Sequence, residues 1–194
     1  VGMFACQDFL EKYPSDELSE PTFWRTEKDA TLALTGVYHE VPGANWNFFS
    51  FWMKGLIWRF DLFADNGNEK DRRINYDGTL TPAQTRVASI WGASYNKIAR
   101  CNNFLTNIGN VEMPDQKKNE MIAEVRFIRA YFYYYMSQLW GGVPLVTEVL
   151  GYEAANTISR SSKSVIVNFA LTELAEAASS LPVSRPNNEY GRVT

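Results

Sequence analysis

The chain is poor in the residues that build metal centres and disulfide frameworks. Its 194 residues include one histidine, His39, and two cysteines, Cys6 and Cys101. A lone histidine cannot anchor a site of several imidazole ligands, and two cysteines can form one disulfide at most, which is not a framework. We interpret His39 as structural, and Cys101, on a predicted helix, as a buried small apolar residue.

Strong charge, long apolar runs and catalytic signatures are also absent from the sequence. The net charge is −3, which gives no electrostatic reason to expect a nucleic-acid partner. No apolar run reaches the length of a transmembrane helix. The phosphate-binding loop, the dinucleotide-binding glycine pattern, the G-x-S-x-G elbow and the H-E-x-x-H zinc motif do not occur. No metal, cofactor or catalytic residue is therefore predicted.

What the chain does contain is a series of helical patterns separated by glycine and proline stops. Thr26 can cap a first helix, with Asp29 in the place of a capping-box residue. An apolar helix is expected around 48–62, and the next is expected to begin at Thr81-Pro82. The inner face of this helix is predicted to comprise Val87, Trp91, Ser94, Ile98, Cys101, Leu105 and Ile108. Gly92 lies in its interior, where close packing against another helix would account for a glycine.

The longest helix is predicted to begin with Asp115 as its cap and to end at Gly141-Gly142. Its buried face is predicted to comprise Met121, Val125, Ile128, Phe132, Tyr135 and Leu139. A short extended piece is expected at 143–147, after which a last helix begins near Ser161 or Ser162. The buried stripe of that helix is predicted to comprise Val165, Phe169, Leu174, Ala177, Ala178 and Leu181.

Charged side chains near the predicted turns have two interpretations. Glycoside hydrolysis needs two carboxylates at a set separation, and the candidates are Asp61, Asp65, Glu69 and Asp71. Without a second supporting motif, we interpret these carboxylates as solvated or capping groups. Arg126 and Arg129 are expected to pair with acids such as Glu124 or Glu173 rather than to bind an anion.

Aromatic residues make up 14% of the chain, and composition does not separate core rings from ligand-binding rings. Trp46, Trp52 and Tyr76 lie near predicted loops, where a ring can stack on a sugar. The candidate ligand-binding residues are Trp46, Trp52, Asp65, Asn68, Arg72 and Tyr76. The alternative, that these rings belong to the core, stays open.

The segment from Glu124 to Val146 resembles the SusD/RagB family of outer-membrane nutrient-binding lipoproteins. In that family, a helix of the form E-x-R-F-x-R-A-x-x-Y/F leads into L-x-G-G-V-P-L-V. The corresponding positions here are Glu124, Arg126, Phe127, Arg129, Ala130, Phe132 to Tyr135, Trp140, Gly141, Gly142, Val143, Pro144, Leu145 and Val146. A further match, to W-x-x-x-Y-x-x-I-x-x-x-N, covers Trp91, Tyr95, Ile98 and Asn102.

The resemblance implies a mainly all-α, SusD-like fold of stacked helix hairpins of the tetratricopeptide type with long loops. Residues 1–5 would be the remnant of a lipoprotein signal, 6–25 an extended arm, and 26–194 an N-terminal helical domain truncated at its C-terminus. Cys6 would then carry the lipid, because the apolar and small residues before it resemble the end of such a signal. On local sequence alone, an ordinary cysteine is the alternative.

The resemblance also implies a function. The protein would be a non-enzymatic, lipid-anchored lipoprotein of the outer membrane, exposed on the cell surface. It would capture a glycan or an oligopeptide and deliver it to a TonB-dependent transporter of the SusC type. The alternative is a helical-repeat scaffold that binds only proteins, and enzymatic hydrolysis is the weakest of the three hypotheses.

Overall fold

The computed structural model describes residues 23–39, 81 and 85–194, and the described residues form helices and no β-strand. Five α-helices are present in this part of the chain. They are α1 (Glu27–Tyr38), α2 (Thr85–Asn107), α3 (Asp115–Trp140), α4 (Tyr152–Thr157) and α5 (Lys163–Ala178). Short 3-10 turns cover Ile108–Asn110 and Asn187–Glu189. None of the described helices has the length and apolarity needed to cross a membrane.

The helices stack in chain order around one apolar core. Helix α1 packs on α2, α2 packs on α3, and α3 has its most extensive contact with α5. The centre of this core consists of residues that are at most 2% exposed, among them Ile98, Cys101, Phe104, Val125, Ile128, Tyr133, Met136 and Ile166. Burial raises the pKa of the Cys101 thiol to about 12, which keeps it in the unreactive thiol form at neutral pH. The prediction that Cys101 is a buried small residue is confirmed.

Helix α1 is fixed at both ends by side chains. At its start, the Thr26 hydroxyl accepts from the Asp29 N–H (3.4 Å) and the Asp29 carboxylate accepts from the Thr26 N–H (2.8 Å), which confirms the predicted capping box. At its end, α1 has no basic residue in its last turn. Instead, the buried Lys97 donates to the Val37 carbonyl (3.0 Å), and Arg100 donates to the Gly36 carbonyl (2.9 Å). Two cations of α2 thus complement the negative end of α1.

The stop after α3 depends on two consecutive glycines with different roles. Gly141 adopts a φ of 69°, the left-handed conformation that favours glycine at a helix end. At Gly142, a Cβ atom would lie 2.4 Å from the backbone oxygen of Ser161. The backbone before α5 passes beside Gly142 here, and the Ser161 N–H donates to the Val143 carbonyl at 2.9 Å. Gly142 is therefore required by the close approach of two backbone segments.

Several predictions about the helices need correction. Asp115 is the first helical residue, and Pro114 occupies the N-cap position without a side-chain hydrogen bond. Leu139 is 37% exposed because it lies close to the solvated end of α3. In α5, Val165 is exposed and its neighbour Ile166 is buried, so the stripe is displaced by one residue at the start of that helix. The predicted start of this helix near Ser161 or Ser162 is confirmed, and Ser162 is its N-cap.

Other predictions concern segments without regular structure. The piece at 143–147 is extended but joins no sheet. Helix α4 was not predicted, because six residues are too few to show an apolar period. The helix expected around 48–62 lies outside the described residues, and so do residues 82–84 at the expected start of the next helix. Among the described residues, no atom lies within 4 Å of a Cβ placed on Gly92, so the expectation that this glycine serves close packing against another helix is wrong for this part of the chain.

The two glycines provide a matched pair of substitutions. We expect Gly142→Ala to lower the free energy of unfolding by about 1–3 kcal/mol, because the new methyl group forces the Ser161 backbone away. Gly92→Ala should raise it by up to about 1 kcal/mol, because alanine suits a helix interior and has room there. Chemical unfolding of the full-length protein measures both changes. Equal unfolding midpoints for the two variants would contradict this account of Gly142.

Candidate ligand-binding cleft

Among the described residues no β-strand lies beside the extended segment 142–148, and helix side chains bind its backbone. The Tyr133 hydroxyl donates to the Val146 carbonyl (2.8 Å) and accepts from the Val146 N–H (2.7 Å). The Tyr95 hydroxyl donates to the Pro144 carbonyl (2.8 Å). The Asn102 amide donates to the carbonyls of Val146 (3.0 Å) and Glu148 (3.1 Å). Backbone groups that a sheet would otherwise satisfy are thereby paired by α2 and α3.

Arg129 connects this segment to α5. Its guanidinium donates to the Glu173 carboxylate from Nε (2.9 Å) and Nη2 (2.5 Å), and both side chains are less than a tenth exposed. Nη1 donates to the Asn102 Oδ1 (2.8 Å) and more weakly to the Thr147 carbonyl (3.4 Å). The bond to Oδ1 turns the amide nitrogen of Asn102 toward the extended segment. The Arg129 guanidinium also lies 5.4 Å from the centre of the Phe169 ring.

The hydroxyls that bind the segment remain protonated. Burial raises the pKa of Tyr133 to about 12, and burial also raises the pKa of Tyr95. Both hydroxyls therefore keep their proton and act as hydrogen-bond donors at any physiological pH. The hydrogen bonds of these two protonated hydroxyls stabilise the folded state fully below the usual tyrosine pKa near 10. As the pH rises above that value the stabilisation is lost, because the unfolded chain releases protons that the folded chain keeps.

A cleft of about 470 Å³ lies between this segment, α2 and the residues around α4. Its lining consists of Trp91, Tyr95, Ile98, Ala99, Pro144, Val146, Glu148, Val149, Leu150, Ala155 and Ile158. The lining is mostly apolar, and Glu148 is the one carboxylate among its described residues. A lone carboxylate does not form the pair that glycoside hydrolysis requires. The cleft can therefore hold an apolar surface but offers few groups for hydroxyl recognition.

Trp91, which the sequence assigned to the helix core, lies at the edge of this cleft and is half-buried. Its ring centre is 5.1 Å from that of Tyr95 and 5.2 Å from that of Trp140. The Arg160 guanidinium lies 5.1 Å from the same ring, and it donates to the Gly142 carbonyl (2.9 Å). Because neighbouring side chains already surround the ring, Trp91 is a structural element of the cleft wall.

A second polar centre binds the residues after α5 to the first helices. Glu124 on α3 is fully buried and accepts from Tyr38 (2.7 Å), Arg185 (2.9 Å) and Arg192 (2.5 Å). The Tyr38 hydroxyl in turn accepts from the Val193 N–H (3.1 Å). One carboxylate with three donors is the arrangement that a buried charge needs.

These contacts test the predicted arginine pairs. Arg129 pairs with Glu173 as predicted, and Arg126 pairs mainly with Glu176. Neither bonds to Glu124, whose partners are instead Tyr38, Arg185 and Arg192. The two arginines lie more than sixty positions after Glu124 and Tyr38 lies far before it, so helical spacing cannot indicate these pairs.

The residues predicted to bind ligand are Trp46, Trp52, Asp65, Asn68, Arg72 and Tyr76, and all of them lie outside the described residues. The same holds for the proposed lipid site, Cys6, and for the carboxylates at Asp61, Glu69 and Asp71. These assignments therefore stay predictions. In the part of the chain that the structure covers, no group of three or more His, Cys, Asp or Glu side chains is arranged to hold a metal ion.

Comparison with known proteins identifies the family. A family model described as SusD-like, "starch-binding associating with outer membrane", matches residues 8–193. The chain belongs to the SusD-like family. A SusD-like carbohydrate-binding protein of Bacteroides fragilis is 34% identical, with a TM-score of 0.73 over 88% of this chain and 35% of that chain. A second SusD-like structure from that species is 26% identical, with a TM-score of 0.69 over 94% of this chain and 35% of that chain.

The relatives confirm the predicted fold, and this chain covers only part of their length. A SusD-like protein of Formosa agariphila is 28% identical in an alignment 207 residues long, which covers 98% of this chain and 38% of the relative. The present chain therefore spans less than half the length of that relative. Within the SusD-like family, the stacked helices described above correspond to the fold of the known structures. The resemblance inferred from Glu124 to Val146 is thus correct.

Arg129 provides a test of the polar network under the extended segment. We expect Arg129→Met to lower the free energy of unfolding by about 3–5 kcal/mol, because it leaves the buried Glu173 carboxylate without its cation. Arg126→Ala is the control, because that side chain is one third exposed and should cost less than about 1 kcal/mol. Denaturant titration of the full-length variants measures both. The account fails if the two variants are equally stable.

Proposed function

We propose that the full-length protein binds a glycan at the cell surface and delivers it to a TonB-dependent transporter of the SusC type. The observation that carries this proposal is the family match across residues 8–193, whose description combines starch binding with outer-membrane association. The relative from Bacteroides fragilis, itself described as carbohydrate-binding, supports it at 34% identity. An oligopeptide ligand is the alternative within the same role.

The ligand site that we propose comprises Trp46, Trp52 and Tyr76 as stacking rings, with polar groups beside them. Asp65, Asn68 and Arg72 would bond to the hydroxyls of the sugar. Sugar rings present flat C–H faces that aromatic rings match, and hydroxyls that need fixed donors and acceptors. We propose no catalysis, because a binding role needs no paired acid and base.

A protein-interaction scaffold is the competing function, and one observation favours it. The cleft beside Trp91 is lined mostly by aliphatic side chains, and the Trp91 ring is already contacted by Arg160. Such a lining suits an apolar side chain of a partner better than a hydroxylated sugar. The two functions differ in whether purified protein binds glycan in the absence of any partner.

Titration of the purified full-length protein against a panel of polysaccharides, including starch and laminarin, tests the proposal. We expect saturable binding to one member without release of shorter products. Alanine at a true stacking ring among Trp46, Trp52 and Tyr76 should weaken that binding by about 1–3 kcal/mol, by analogy with aromatic stacking on other flat ligands. Thermal unfolding of each variant controls for rings that belong to the core.

The opposite outcomes are distinct. Absence of binding to every polysaccharide would favour the scaffold, and the appearance of shorter products would indicate an enzyme. Three folded alanine variants that bind as well as the parent would remove the proposed site while leaving glycan binding in place.

The membrane attachment is proposed separately. We propose that Cys6 carries a lipid that holds the protein on the outer membrane. In cells that produce the full-length protein with its signal, Cys6→Ala should move the protein from the membrane fraction to the soluble fraction. Cys101→Ala is the control, because that thiol is fully buried and cannot be acylated in the folded protein. Membrane retention of the Cys6 variant would contradict the lipid assignment.

A further inference from the structure

A groove of about 350 Å³ lies between α1, the residues that precede it, and α2. It is separate from the cleft beside Trp91, since the two have no lining residue in common. Its lining consists of Phe23, Trp24, Ala33, Gly36, Val37, Arg100, Asn103 and Phe104.

Three aromatic rings form one side of this groove. The ring centres of Phe23 and Trp24 are 5.3 Å apart with an angle of 85° between the planes, and those of Trp24 and Phe104 are 5.7 Å apart at 78°. In both pairs, one ring meets the other edge-on. Phe23 and Trp24 are half-buried, so part of each ring remains accessible. Among the described rings, none stacks face to face on Phe23 or Trp24.

Two planar polar side chains stand beside the rings and are held in place. Arg100 donates from Nη1 to the Gly36 carbonyl (2.9 Å), and the Asn103 Oδ1 accepts from the Asn107 amide (2.6 Å). Within the described residues, the other guanidinium nitrogens of Arg100 and the amide nitrogen of Asn103 make no hydrogen bond. They are donors of fixed position at the wall of a largely apolar groove.

Gly36 keeps the groove open. It lies in the last turn of α1, where its backbone is still helical and glycine is less favourable than alanine. No atom of the described residues lies within 4 Å of a Cβ placed on Gly36, so packing between the described helices does not require a glycine there. A side chain at this position would instead extend into the groove that Gly36 lines.

We propose that this groove is a saccharide-binding subsite of the helical domain. A sugar ring would lie on Trp24 or Phe23, and its hydroxyls would accept hydrogen bonds from Arg100 and Asn103. The combination of aromatic faces with fixed planar donors distinguishes this groove from the aliphatic cleft beside Trp91. The inference rests on the proposed function, because a glycan-binding protein is the context in which such a subsite has a role.

The test fills the groove and substitutes none of the six residues of the ligand site proposed above. Gly36→Leu places a side chain in the groove, and Gly92→Leu is the matched control, because Gly92 is also a helix glycine with open space around it. Asn103→Ala removes one of the donors. Calorimetric titration of the full-length protein uses maltoheptaose where starch binds in the polysaccharide panel, and laminarihexaose where laminarin binds. For any other polysaccharide, its own heptasaccharide is the probe.

We expect Gly36→Leu to weaken binding by about tenfold or to remove one binding site per molecule, and Asn103→Ala to weaken it several-fold. Gly92→Leu should bind as the parent does, and all three variants should remain folded by thermal unfolding. Unchanged binding in Gly36→Leu and Asn103→Ala would overturn the subsite and leave the proposed function intact. A parent protein that binds no polysaccharide would overturn both.

Discussion

The buried ion pair between Arg129 and Glu173 is the interaction on which the arrangement of α2, α3 and α5 depends. It joins α3 to α5, and through Asn102 it also reaches α2. The same guanidinium and amide bind the backbone of the extended segment, so the chain can pass between helices without forming a sheet. Removing either charge would leave the other buried and unpaired, which costs far more than the pair contributes. We therefore regard this network as the element that fixes the position of the segment and of the cleft wall beside it.

Glu124, which precedes Arg129 in the middle part of α3, has an equivalent role. Its carboxylate joins Tyr38 on α1 to Arg185 and Arg192, which follow α5. The long helix thus carries two buried charges, each paired with residues distant in the sequence. Both belong to the sequence motif that first suggested the family, and the structure gives a physical reason for their place in it. In a stack of helices, apolar stripes permit sliding, whereas buried charges accept only one register.

Local sequence signals predicted the helices and their ends, whereas contacts between residues distant in the sequence could not be predicted from it. The capping box at Thr26, the stop at Gly141 and the apolar faces of the longer helices depend on neighbours within a few residues, and they were predicted correctly. The partners of Glu124 and the burial of Lys97 depend on tertiary contacts, which no local period encodes. The loop residues proposed as the ligand site lie outside the described residues, so their assignment still depends on residue type alone. The groove beside Trp24 was not predicted from the sequence, because its lining residues come from three separate segments of the chain.

Hydrogen exchange at the Val146 amide tests the central claim, that helix side chains hold the extended segment in place of a sheet. The Val146 N–H donates to the Tyr133 hydroxyl at 2.7 Å. In the full-length protein, we predict slow exchange at this amide, and loss of that protection in Tyr133→Phe while the amides of α3 stay protected. Fast exchange at Val146 in the parent, or unchanged protection in the variant, would contradict the account.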